Sequence, residues 1–471
     1  MKKIYIAFLI TIFISSCMVG PKYTRPPVTV NAAWSEGDTA VKTALVDPGS
    51  VPVKDSITFL KWTDVFRDTV LTSLIQKTLI NNTDLLMALA RVEQARALYG
   101  ISRSELFPSF GYKASAGSSH VEKNARSAGA GLDGETFGAF ATMNWELDLF
   151  GKLRHQKRAD WAGFLAAENN AHAVQVSLIA EVATYYFLLR DADNRLEIAQ
   201  QTAAMRKESL GIITERFNKG YVSELDKLQA QQQLSIAEAE VAGTELQIIN
   251  IQNVLRVLTA QTPGPINRGM NIYEQQLTGE IPAGIPSDLL RRRPDILAAE
   301  QALMAQTEKI GVAMALRYPS ISLTGVLGLA SPDLGTLIDP ASQVMGITGN
   351  ILGPVFQFGR NKRRVEAQKQ LTEQYSLQYR KLVLVAFAEV DNSLASLRLS
   401  AKEHEAYQKA LEAASLAYKL TEARYYDGYT HYLELLNQQD NLFRVALAES
   451  STQTAQNLAV VNLFKALGGG W

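Results

Sequence analysis

Cysteine is almost absent from this chain: Cys17 is the only one, so neither an internal disulfide framework nor a thiolate metal cluster can form. An excess of one charge is missing too. The 47 Lys and Arg residues balance 47 Asp and Glu, which removes the basic field that a nucleic-acid partner requires. The five histidines, His120, His155, His172, His404 and His431, form no HExxH and no i,i+4 pair. No GxSxG, Walker loop or dinucleotide glycine fingerprint stands in a strand-to-helix setting, so local signatures of metal binding, nucleotide binding and nucleophilic catalysis are all lacking. These absences point away from an enzyme and from any cofactor.

Long apolar runs are missing except for one. Lys2 and Lys3 precede the run Ile4–Ile14, which is shorter than the roughly 20 residues needed to span a bilayer and fits the core of a signal peptide. The run ends in Ile14-Ser15-Ser16-Cys17, which resembles a bacterial lipobox; on that reading residues 1–16 are removed and Cys17 is lipidated. With no second apolar stretch of spanning length, passage through a membrane must use strands.

Proline is absent between Pro108 and Pro263 and again after Pro354. The two resulting blocks, about 110 residues each and rich in Ala, Leu, Gln and Glu, read as helix. Each carries a central glycine in a matching phrase, Arg216-Phe217-Asn218-Lys219-Gly220-Tyr221 and Arg424-Tyr425-Tyr426-Asp427-Gly428-Tyr429, the expected tips of two helical hairpins. The shift of 208 residues from 220 to 428 also takes Glu181-Val182 to Glu389-Val390, Arg190 to Arg398, Leu225 to Leu433 and Gln231 to Gln439. This is an internal repeat. Phe150-Gly151-Lys152 matches Phe358-Gly359-Arg360 at the same offset, and Asp84, Gly100 and Pro108-Ser109 match Asp295, Gly311 and Pro319-Ser320 at 211. The division expected is 17–62 as an extended lead-in, 63–265 as the first repeat, 266–287 as linker and 288–471 as the second repeat.

Between each Pro-Ser and each Phe-Gly the period falls to two. Phe110, Tyr112, Ala114 and Ala116 alternate with Gly111, Lys113, Ser115 and Gly117. Phe137, Ala139, Ala141, Met143, Trp145 and Leu147 form a second apolar face, with Glu146 and Asp148 expected to meet water and Phe140 breaking the polar side. Ile321, Leu323, Leu327 and Leu329, then Met345, Ile347 and Ile351, give two more strands. About ten tilted residues cross the hydrocarbon layer, but four strands cannot close a barrel and open edges are not tolerated in lipid, so a spanning sheet needs further copies of the chain. In the helix after the first tip, Ala230, Leu234, Ala237, Val241, Thr244, Ile248, Ile251, Leu255 and Leu258 make a coiled-coil seam. Leu225, Leu228, Gln232, Ser235, Ala239, Ala242, Leu246 and Ile249 make a second seam on roughly the opposite face. A helix with two seams fits a ring of helices.

Several phrases together carry a family resemblance: Cys17 with Gly20-Pro21-Lys22-Tyr23, Leu289-Leu290-Arg291-Arg292-Arg293-Pro294-Asp295, Tyr318-Pro319-Ser320, the two tip phrases, and the terminal Lys465-Ala466-Leu467-Gly468-Gly469-Gly470-Trp471. Over nearly its whole length the chain resembles the TolC-like outer-membrane efflux family, in its OprM/CusC-like lipoprotein branch. The resemblance implies a mainly α chain with a transmembrane β part: a homotrimer whose twelve-stranded barrel continues into a periplasmic tube of helices. It implies a Gram-negative outer-membrane exit duct for drugs, toxic small molecules or metal ions. Its implied partners are outer-membrane lipid, a periplasmic adaptor and an inner-membrane RND-type transporter.

Further expectations come with it. Lys219, Gly220, Tyr221, Val222, Ser223, Asp427, Gly428, Tyr429 and Thr430 would meet the adaptor. Asp226 and Tyr425 would form a hydrogen-bonded latch, so that Tyr425→Phe or Asp226→Ala would enlarge conductance. Glu434 would contribute to an acidic constriction ring, whose three carboxylates would repel one another and attract cations. Thr430 and Asn437 stand where the family can carry a gating arginine and a second aspartate. An exit channel for type I protein secretion shares the fold and is the alternative; a poreless lipid-anchored coiled coil would leave the four strands unexplained.

Overall fold

The computed structural model describes residues 18–28, 62–119, 134–275 and 286–469. Cys17 and residues 1–16 lie outside the described residues, as do most of 17–62 and part of the 266–287 linker. Three helices lead in, α1 (Trp62–Val65), α2 (Thr69–Asn81) and α3 (Thr83–Ser104), followed by strands β1 (Ser109–Ser119) and β2 (Gly134–Leu147) and by helices α4 (Lys152–Asn218) and α5 (Glu224–Leu258). The second repeat comprises α6 (Pro286–Arg292), α7 (Pro294–Ala315), β3 (Ser320–Ser331), β4 (Gln343–Leu352), α8 (Arg360–Tyr426) and α9 (Tyr432–Ala466). Both long helices have 67 residues and both returning helices have 35, so the 208-residue offset survives to the residue in the hairpins.

The chain divides into two compact units. The first combines Met1–Pro27, Arg91–Glu168 and Ala298–Arg380 and holds the sheet. Its four strands form an antiparallel meander in the order β1-β2-β3-β4. The register sorts the alternating residues onto two faces: Tyr112, Ala141, Leu327 and Met345 share one row, while Ser109, Asn144, Thr324 and Thr348 share a row on the opposite face. Phe140, the one apolar residue that breaks the polar side of β2, is explained by its neighbours. A Cβ at Gly138 would lie 2.5 Å from its ring and one at Gly328 would lie 2.8 Å from it, so two glycines make room for one aromatic side chain. Asp148 departs from expectation. Its carboxylate is only 9% exposed and accepts from the Leu153 and Arg154 N–H groups and from the Arg154 guanidinium, so it fastens the start of α4 instead of facing water. Glu146 pairs with Lys152 at 2.6 Å.

The lead-in residues dock within the same unit. The Val19 N–H donates to the Phe150 carbonyl, and the Val19 carbonyl lies 3.1 Å from His155 Nε2, whose Nδ1 faces Glu308 at 2.5 Å. Arg25 holds the buried Glu300 through two hydrogen bonds and Tyr23 adds a third. The Gly-Pro-Lys-Tyr phrase is thereby accounted for: a Cβ at Gly20 would lie 2.9 Å from the Gly311 backbone.

The second unit combines Val28–Ala90, Asn169–Leu297 and Lys381–Trp471. One 18-residue window in α4 reaches a mean hydropathy of 1.2, more than the sequence reading allowed for a second apolar stretch; half of it is buried against the rest of the chain, as a core helix would be. Along α5, seven of the nine residues of the first seam are buried, with Leu234 and Val241 half-buried. Asp68 caps α2, and its carboxylate also receives the Tyr186 hydroxyl at 2.7 Å, the Met270 N–H at 2.9 Å and the Gln275 amide at 2.9 Å. Burial alone would push the Asp68 carboxyl up, but its donors, led by Tyr186 and Gln275, outweigh burial and hold it below the ordinary value. Arg293 of the Arg-Arg-Arg-Pro-Asp phrase is no solvated side chain. It is 7% exposed, grips Asp295 with two hydrogen bonds, and reaches Glu389 of α8 and the Ala466 carbonyl at the end of α9.

Candidate gate at the hairpin ends

Both hairpins turn through the same backbone device. The Tyr221 N–H donates to the Arg216 carbonyl at 2.9 Å and the Tyr429 N–H to the Arg424 carbonyl at 2.8 Å, each bond closing over a glycine with φ of +77° (Gly220) or +81° (Gly428). Only glycine enters that left-handed region without strain. The loops Lys219–Ser223 and Asp427–Thr430 project Tyr221 and Tyr429, 77% and 76% exposed. Val222 turns the other way and packs on a small apolar cluster of Ile213, Ala230, Tyr425, Tyr432, Leu435 and Leu436, which joins the ends of the two hairpins.

The returning helices start differently. Ser223 and Asp226 form a reciprocal capping box: the Asp226 N–H donates to Ser223 Oγ, while the Ser223 N–H and hydroxyl donate to the Asp226 carboxylate at 3.0 and 2.8 Å. At the equivalent place in the second hairpin His431 is the N-cap and gives no side-chain cap. Glu434, the repeat partner of Asp226, instead accepts the Thr430 hydroxyl. Glu434 is exposed, and Asn437 lies exposed one turn further along α9.

Tyr425 is 6% exposed, with the Arg216 guanidinium 4.8 Å from its ring centroid and the Tyr432 ring at 5.9 Å. Its hydroxyl is buried without a hydrogen-bond partner. No hydrogen bond between Asp226 and Tyr425 is present in this chain, and the Asp226 carboxylate is bonded to Ser223 through one oxygen. Burial pushes the Tyr425 phenol up, with Arg216 opposing it, and pushes Tyr432 up to about 12. Among the described residues no cluster of His, Cys, Asp and Glu could hold a metal ion.

Sequence reasoning missed Arg206, which is 2% exposed and lies about three turns before α4 ends at Asn218. Its signal was available: the 208-residue shift places a small residue, Ala414, at the same point of the second hairpin.

Comparison with known proteins identifies the family. The model of the family described as outer membrane efflux protein matches residues 74–261 and 285–469. The toluene efflux pump outer membrane protein TtgF of Pseudomonas putida is 32% identical over 472 residues, covering 100% of this chain and 98% of that protein. The open-state Neisseria gonorrhoeae MtrE outer membrane channel superposes with a TM-score of 0.84 at 29% identity, covering 96% of this chain and 98% of that one. The Campylobacter jejuni CmeC outer membrane channel gives a TM-score of 0.87 at 27% identity, with coverage of 97% and 95%. The chain fold expected from the resemblance, mainly α with a four-stranded sheet, is observed, and this chain belongs to the outer membrane efflux protein family, as the outer-membrane component of an efflux pump.

Proposed function

We propose that three copies of the chain close a twelve-stranded barrel, with the long hairpins forming its periplasmic duct and the paired hairpin ends its gate. The observation that supports this reading is unpaired structure at both levels. β1 and β4 each leave one edge without a partner among the described residues, which hydrocarbon does not tolerate. In α5 the second seam is bare: Leu225, Leu228, Leu246 and Ile249 are 63%, 54%, 59% and 54% exposed, while the first seam is buried within the chain. Further copies satisfy both; the number three rests on the family resemblance.

In this reading residues 1–16 are removed, Cys17 carries lipid, and residues 17–62 form the anchored lead-in to the repeats 63–265 and 288–471. The two tips meet a periplasmic adaptor, which an inner-membrane RND-type transporter drives. Glu434 lines the constriction, and Thr430 holds its carboxylate from below. Relatives are named as components of toluene, solvent and antibiotic efflux pumps, which favours efflux over type I secretion for this chain.

Sedimentation and planar-bilayer recording of the purified protein, beside Leu246→Glu, test the assembly. Wild-type trimers that conduct, and a variant that loses the trimer, are expected. A conducting monomer, or trimers that survive a charge in the seam, would sink the proposal.

A further inference from the structure

Ten buried side-chain atoms among the described residues lack a hydrogen-bond partner, and five of them lie near the hairpin ends: Arg206 Nε and Nη2, Gln233 Oε1, Gln439 Oε1 and the Tyr425 hydroxyl. Native proteins satisfy nearly all buried polar groups, so a local concentration of exceptions marks stored free energy. Arg206 is the largest fully buried side chain described. It reaches from α4 to both neighbours: Nη1 donates to the Gln233 carbonyl of α5 at 2.9 Å, Nη2 lies 3.5 Å from an Asp440 carboxylate oxygen of α9, and the guanidinium sits 5.5 Å from the Phe443 ring centroid. A guanidinium offers five donors, and a charge-assisted bond to carboxylate normally closes to about 2.8 Å. Here one donor is well used and the ion pair is long. Burial pulls the Arg206 guanidinium below its ordinary value, with Asp440 opposing it.

The internal repeat shows that packing does not demand this residue. At the equivalent point of the second hairpin stands Ala414, buried as well, and the counterparts of Asp440 and Phe443 are Gln232 and Ser235. Arg206 was therefore placed in a helical layer that a small side chain fills. In the same layer Gln439 spends its amide on Ser209 at 3.3 Å and leaves its oxygen unused. Unused donors on Arg206 of α4 and unused acceptors on Gln233 of α5 and Gln439 of α9 thus occur together near the hairpin ends.

We propose that Arg206 primes the gate: its under-bonded charge holds the packed arrangement of the hairpin ends short of full stability, and separation of α9 from α4 admits water to its unused donors. The proposal rests on the reading of the hairpin ends as a gate. Its opposite is a latch, in which Arg206 would hold the ends shut, and the two differ in sign.

The test is single-channel recording and thermal unfolding of the full-length protein in its wild-type form and as Arg206→Met, Arg206→Lys and Asp440→Asn. Arg206→Met removes the unsatisfied charge at similar volume, an exchange that is often neutral or stabilising. It is expected to raise the unfolding midpoint and lower the open fraction about fivefold, the lower end of a coupling contact. Asp440→Asn strips the remaining counter-charge from a half-exposed position without touching the packing, and is expected to raise the open fraction. Arg206→Lys keeps the charge and should behave as wild type. If Arg206→Met opens the channel, Arg206 is a latch and the proposal is overturned. It is equally overturned if Arg206→Met and Asp440→Asn change stability alone, while Asp226→Ala at the tip still alters conductance. Folded, inserted trimers that conduct in no variant would instead overturn the gate reading on which it rests.

Discussion

Tyr425→Phe separates two views of the hairpin ends. A hydrogen-bonded latch loses its bond in this variant, and conductance rises. The structure gives the opposite sign. The Tyr425 hydroxyl is buried within its own chain without a partner, and the residue is 6% exposed. A buried unsatisfied hydroxyl costs about 1–3 kcal/mol, and phenylalanine removes it while keeping the ring between Arg216 and Tyr432. Even at the low end of that range, about 1 kcal/mol favours the packed ends about fivefold per copy. Asp226→Ala acts through a different contact. It removes two bonds to Ser223 and loosens the first turn of α5, a loss of about 1 kcal/mol that favours opening. Recordings in planar bilayers should therefore show fewer openings for Tyr425→Phe, more for Asp226→Ala, and additive effects in the double variant. Increased opening in both single variants with no further increase in the double would restore the latch and refute this reasoning.

Two further outcomes follow from exposed and buried carboxylates. On the proposal that Glu434 lines the constriction, Glu434→Gln removes its exposed charge from each copy, and block of the open channel by trivalent cations should weaken about tenfold or more, read as the blocking concentration; unchanged block would remove Glu434 from the conduction path. Asp68 has a folded-state pKa below its unfolded value, so the stability it contributes is present above about pH 4 and is lost as pH falls through the folded value. Asp68→Asn turns an amide donor toward the three donors of Tyr186, Met270 and Gln275. It should cost about 3 kcal/mol at neutral pH and flatten the acid limb of the unfolding midpoint against pH. A variant with an unchanged acid limb would show that other groups set it.

Repetition made most of the fold legible. Two proline-free blocks at one offset marked four helices, because long helices exclude proline from their interiors, and the observed hairpins keep that offset. The strands were legible because their faces differ: a period of two in the sequence becomes a row of Tyr112, Ala141, Leu327 and Met345 once the strands pair. Polar contacts were not legible in the same way. Asp148 alternates correctly for an exposed strand residue, yet the orphan N–H groups of the following helix claim it. Asp226 matched a family position facing Tyr425, but the spacing Ser223-x-x-Asp226 also carried a capping box, a local contact that the family match did not suggest. The exposed second seam of α5 was readable in sequence, but which surface covers it depends on copies that a single chain does not contain.

The departures from repetition carry the functional content of the hairpin ends. Where the two halves must do the same thing, they are alike: both turns use a left-handed glycine and the same closing bond. Where they differ, a charge or a cap has been moved. Ser223 and Asp226 lock the first returning helix, whereas His431 leaves the second without a side-chain cap. Phe217 carries the Lys227 ammonium over its ring, whereas Tyr425, its counterpart, carries Arg216 and an unsatisfied hydroxyl. Arg206 faces α9, whereas Ala414 merely fills its place. A pair of hairpins under selection for stability alone would be expected to satisfy both ends equally, since each cap and each paired donor stabilises the fold at little cost elsewhere. Concentrating unsatisfied groups at one end, on the contacts between the hairpins, lowers the free energy needed to separate them there while the capped and buried remainder stays intact. That is the distribution of stability a duct needs if force from a partner is to open its end without unfolding its wall.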